Sequence, residues 1–123
     1  MHIKLGLGVS MKVEFEKHMH IAGELLSYCH SKGATEYHLD VKGLSDGTAF
    51  TISASPAVIS DSDMELLNKK LSVPRQKEME QNYWELSGES ETSSELLLVG
   101  MMVDEVEVSY DGIALTIRLK RLL

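Results

Sequence analysis

His20 and Glu24 stand four residues apart, so on a helix they share a face and offer two ligands to a metal ion. His18, His30 and His38 are the other side chains that such a site would draw on. Two ligands do not make a centre and a third must come from the fold, so no metal site is expected. Cys29 is the single cysteine, which rules out an intramolecular disulfide and a cysteine-cluster metal site; its apolar neighbours predict a buried thiol. Gly6-Leu7-Gly8 lacks the third glycine and helix start that a phosphate loop needs. No Ser-His-Asp or Cys-His arrangement has supporting context.

These side chains need elements to hold them. Residues 2–9 alternate Ile3, Leu5, Leu7 and Val9 with His2, Lys4, Gly6 and Gly8, which predicts an edge strand weakened by its glycines. From about Glu14 to Ser31 the period becomes 3.6: Phe15, Met19, Ala22, Leu26 and Cys29 form a stripe, and Gly33 ends the helix. Glu24 lies nearly opposite that stripe. A hairpin follows, with Tyr37, Leu39 and Val41 set against Phe50, Ile52 and Ala54 across a four-residue loop, Leu44 to Gly47. Ser60-Asp61-Ser62-Asp63 supplies helix caps, with Asp61 a candidate N-cap, ahead of Met64, Leu67 and Leu71. Pro74 is placed at the first turn of a third helix, whose Met79, Tyr83 and Leu86 share a face. The polar stretch Gly88 to Ser94 precedes a last helix, about Ser94 to Met102.

A closing hairpin turns at Asp111-Gly112. A two-residue loop there pairs Tyr110 with Ile113, Val108 with Leu115 and Val106 with Ile117 on a buried face, and Glu107 with Thr116 and Glu105 with Arg118 on the wet one. Strand, helix, two strands, three helices and two strands predict an α+β, two-layer sandwich with helices on one face of a mostly antiparallel sheet.

The 123 residues suit one domain, and 43% hydrophobic with 25% charged residues is globular composition. The net charge of −7 argues against nucleic acid and anionic membranes as partners. The first residues lack the apolar core and cleavage site of a signal peptide, and no stretch approaches about 18 apolar residues, so a cytoplasmic protein is expected.

The element order and several local stretches, from about Ile21 to Arg121, resemble the histidine-kinase-like ATPase fold, and within it the small anti-sigma-factor serine kinases. Those kinases also close on a helix, a "DEVEV"-like strand and a final hairpin strand. The resemblance implies three nucleotide motifs. The first is a helical Glu with an Asn four residues on, the Asn holding Mg²⁺ and the Glu positioning the attacking group; "ELLSYCHSKGATE" supplies Glu24 but has Tyr28 in the Asn position. A phenol offers a hard cation no amide carbonyl. The second motif, Asp-x-Gly-x-Gly against the adenine, falls on Ala54, Ser55, Pro56, Ala57 and Val58, with neither carboxylate nor glycine; Asp61 is the nearest substitute. The third, a Gly-rich turn before the last helix, falls in "GESETSSELLLVG", where Glu89, Glu91 and Glu95 would repel a triphosphate.

The expected function is therefore a non-catalytic regulatory or protein-interaction domain on a degenerate scaffold, with no cofactor. The alternatives are an active ATP-binding protein kinase of the anti-sigma-factor type, with ATP, Mg²⁺ and a catalytic Glu24, and a small-molecule sensor using the remodelled cleft. Where the family carries its mobile lid, this chain carries Arg75, Tyr83 and Trp84, side-chain types enriched at protein interfaces. They are expected either to plug the vacant cleft or to face a protein partner or a second copy.

Overall fold

The computed structural model describes the backbone of residues 4–86 and 96–123 and the side chains of residues 13–81 and 96–123. In chain order the elements are α1 (Lys4–Ser31), β1 (Glu36–Leu44), β2 (Gly47–Ser55), α2 (Asp61–Leu71), α3 (Lys77–Leu86), α4 (Leu96–Met102), β3 (Glu105–Tyr110) and β4 (Leu115–Leu122). The strands form one antiparallel sheet in the order β1-β2-β4-β3. Helices cover one face, as the α+β two-layer sandwich predicted from the sequence requires.

The sheet divides its faces by alternation. Phe50, Ile52 and Ala54 of β2 lie opposite Leu119, Ile117 and Leu115 of β4, and all six are buried. Against them pack Ile21, Leu25 and Cys29 of α1, Leu67 and Leu71 of α2, and Leu96, Leu98, Val99 and Met102 of α4. Thr51, Ser53, Thr116 and Arg118 point the other way.

The first hairpin has the expected register, Tyr37 opposite Ala54, Leu39 opposite Ile52 and Val41 opposite Phe50. Its strands run on to a Leu44–Gly47 pair, so the loop is Ser45-Asp46 rather than four residues. The closing hairpin corrects the expected register by two residues. Tyr110 pairs with Leu115, Val108 with Ile117, Val106 with Leu119, and Glu107 with Arg118. The cause is the Asp111 carboxylate, whose Oδ1 accepts from the backbone N–H groups of Ile113 (2.8 Å) and Ala114 (2.7 Å) and closes a four-residue loop, Asp111 to Ala114. Gly112 alone takes a positive φ, +98°, whereas the two-residue turn needs two such residues. Because the shift is even, each side chain keeps its face, but Ile113 is exposed and Val106 and Val108 are only half-buried.

The helices bring further corrections. Residues 4–9, expected as a strand, lie within α1, since Leu5 and Val9 fit a spacing of four as well as an alternation. The buried face of α1 runs through Lys17, Ile21, Leu25 and Cys29, and Phe15 and Met19 of the expected stripe are exposed. Ser60, not Asp61, caps α2: its Oγ accepts from Asp63 N, and the Asp63 carboxylate accepts from Ser60 N, a reciprocal capping box. Pro74 precedes α3 by three residues instead of opening it; Gln76 N donates to Met101 O and Gln76 O accepts from Glu80 N, which starts the helix there. Met79 is exposed, while Glu80 is buried. The remaining expectations for residues 87–95, and those for the side chains of Tyr83, Trp84 and Leu86, lie outside the described residues.

Candidate functional site

Glu24 and Tyr28, which the resemblance aligns with the first nucleotide motif, lie on α1. There Tyr28, one turn beyond Glu24, is half-buried, and Lys32, one turn further, reaches Asp63 at the start of α2 (3.2 Å) while its ammonium sits 5.5 Å from the centre of the Tyr28 ring. Leu67 and Leu96 close the hollow from below, and Leu66 and Lys70 complete its rim. The hollow that these residues line measures about 60 Å³. Burial pushes the Tyr28 phenol above its ordinary pKa, and the Asp63 carboxylate adds to this. The Asp63 carboxyl is held low, first by the Ser60 backbone N–H and then by Lys32. Asp63, the carboxylate among the described residues that line this hollow, is thus occupied by the capping box and the Lys32 ion pair.

Glu24 is half-buried one turn before Tyr28, and His20 is half-buried one turn before Glu24. The other histidines diverge. His18 stacks edge-on against Phe50, with ring centres 5.5 Å apart, and burial lowers its pKa. His30 Nδ1 lies 3.1 Å from the Tyr37 hydroxyl, and His38 stands exposed on β1. Among the described residues no group of three or more His, Cys, Asp or Glu is placed to hold a metal ion.

Arg75 is engaged within the chain. Its NH1 donates to Asp104 Oδ2 (2.6 Å) and Leu122 O (3.0 Å), and its Nε lies 3.5 Å from Glu80 Oε1. Glu80 is in turn the centre of an ion cluster. Lys17 Nζ donates to its Oε2 (2.8 Å), and Arg121 clasps both oxygens through NH1 (3.0 Å) and NH2 (2.7 Å). Arg121 NH2 also reaches Glu14 Oε1 (2.8 Å), and its NH1 caps Met102 O (2.7 Å). The cluster ties α1, α3, the end of α4 and β4 together. Among the described residues its three cations, Lys17, Arg75 and Arg121, match its three anions, Glu14, Glu80 and Asp104.

The sequence carries one sign of this cluster. Alternation along Leu115, Ile117 and Leu119 puts Arg121 on the core face, where a cation demands a buried carboxylate. Two larger hollows flank α1. One, of about 390 Å³, is lined by Leu26, Ser27, His30 and Tyr37; the other, of about 380 Å³, by residues that include Phe15, His18, Thr48 and Arg121. No family model, curated protein or solved structure matches the chain.

Proposed function

We propose that the chain is a non-catalytic regulatory or protein-interaction domain on a histidine-kinase-like ATPase scaffold whose nucleotide site is dismantled. One observation carries this reading: the hollow lined by Tyr28, Lys32 and Asp63 measures about 60 Å³, whereas sites for small molecules and cofactors occupy roughly 300–1,000 Å³. Tyr28 and the Lys32–Asp63 pair occupy the position where the resemblance would put metal and phosphates. The antiparallel sheet with helices on one face is compatible with that scaffold. Of the lid-like segment's expected interface residues, Arg75 is committed within the chain to Asp104 and Glu80.

Calorimetric titration with ATP and ADP, with and without Mg²⁺, tests the reading. No saturable heat is expected up to millimolar nucleotide. A dissociation constant below about 1 mM, equivalent to about −4 kcal/mol of binding, overturns it and restores the kinase alternative with Glu24.

A further inference from the structure

β1 is an edge strand, hydrogen-bonded to β2 alone among the described residues. The ladder itself tells which of its backbone groups are unused. Leu123 N donates to Asp46 O (3.0 Å), one step before the Gly47–Leu122 pair, so the even-numbered positions of β2 direct their backbone groups to β4. Its odd-numbered positions therefore bond β1, and through the observed register these meet Glu36, His38, Asp40, Lys42 and Leu44. Tyr37, Leu39, Val41 and Gly43 turn their N–H and C=O groups outward.

Tyr37, Leu39 and Val41 also carry their side chains on the helix-bearing face. They lie opposite Ala54, Ile52 and Phe50, which are at most 1% exposed, yet they are themselves 39%, 43% and 37% exposed. The reason is that α1 lies over β2 and stops short of covering the edge. Edge strands of monomeric proteins are commonly blunted by proline, a bulge or brevity. β1 has no proline, and its ladder is unbroken over nine pairs.

We propose that β1 pairs with β1 of a second copy of this chain, antiparallel and centred on Leu39. In that register Leu39 faces its own counterpart and Tyr37 faces Val41, both through outward-turned backbone groups. On the opposite face Glu36 meets Lys42 and His38 meets Asp40, each pair occurring twice. The strand "EYHLDVK" is self-complementary about its central leucine in charge as well as in apolarity. Neighbouring registers are not. Centring on Asp40 sets Asp40 against itself, and centring on His38 sets Glu36 against Asp40. The charges select the register, and the apolar face beside the exposed Met19 and the half-buried Leu26 of α1 supplies the burial. This pairing is independent of the α1–α2 cleft, so nucleotide titration and the test below succeed or fail separately.

The test is a charge exchange read by sedimentation equilibrium, with circular dichroism as a check on folding. Wild-type protein is expected to be dimeric. Lys42→Glu places glutamates opposite Glu36 at both ends of the seam, and Glu36→Lys places lysines there, so each variant alone is expected to sediment mainly as monomer. Mixed in equal amounts, one chain carries lysine and the other glutamate at both positions, and dimers are expected to re-form. As a check that needs no variant, exchange of the Leu39 N–H should slow as wild-type concentration rises. A wild type that stays monomeric at its highest attainable concentration overturns the proposal. So do single variants that dimerise like wild type, a mixture that stays monomeric, and a Leu39 N–H that exchanges at one rate throughout.

Discussion

Arg121 and Glu80 meet fork to fork, 41 residues apart in sequence, with two N–H···O bonds of 3.0 and 2.7 Å and each residue only 4% exposed. Breaking one side of such a pair leaves the other charged and dry, which costs about 3–5 kcal/mol. Glu80→Ala is therefore expected to lower the unfolding free energy by that amount, since both Arg121 and Lys17 lose their carboxylate. Replacing Glu80, Arg121 and Lys17 together by methionine should lose much less, because no buried charge is then left without its partner. Urea denaturation of the two variants makes the comparison.

The same carboxylate sets a pH dependence. Burial pushes the Glu80 carboxyl up, but hydrogen bonds and charge from Arg121 and Lys17 outweigh it and hold the pKa at about 2, against an ordinary 4.5. A depressed folded-state pKa contributes stability that is complete above the unfolded value and lost as the pH falls through the folded one. Wild-type stability should therefore decline from about pH 5 towards pH 2. Glu80→Gln should remove this part of the slope, measured as denaturation midpoints across that range.

Two helical glycines should respond in opposite directions to alanine. A Cβ on Gly100 of α4 would run into the Lys70 carbonyl oxygen and Val73 Cγ2, where α4 crosses the end of α2. Gly100→Ala is expected to cost about 1–3 kcal/mol. Gly23 of α1 is exposed with nothing near its missing Cβ, so Gly23→Ala should stabilise by about 0.5–1 kcal/mol through helix propensity and a less disordered unfolded chain. Thermal melts suffice for both.

Cys29 is fully buried, and burial pushes its thiol pKa up to about 11. At pH 8 its labelling by a thiol reagent should therefore report global unfolding. Labelling rates measured along a urea series should parallel the unfolded fraction rather than stay high in native buffer.

The fold class and both hairpins were legible because alternation is local: Phe50, Ile52, Leu115 and Ile117 announce their face without reference to anything distant. What escaped was whatever a single side chain or a distant partner decides. The Asp111 carboxylate lengthened a turn that Asp-Gly alone reads as tight, and the stripe on α1 rotated because the helix seats on β2 and leaves much of β1 exposed. Tyr28 stands out in the sequence as a departure from the resemblance's first motif, and in the structure it lines a small hollow. Its neighbour Lys32 does not stand out, since an ion pair with Asp63 joins residues 31 positions apart that no periodicity connects. Glu80 was likewise hidden, as a charged residue on a helix reads as solvated until Arg121 is known to arrive from β4.

Strand order has a consequence for how the chain is made. β1 and β2 are joined by two residues and can zip as soon as both have left the ribosome, whereas β4 is the latest of the four strands in chain order and lies between β2 and β3. Until it emerges, β2 has an open inner edge, β3 has no strand beside it, and Lys17 and Glu80 wait for Arg121. The nascent chain thus carries an unfinished hairpin with two free edges until β4 emerges, and insertion of one strand closes the sheet and the ion cluster in the same event.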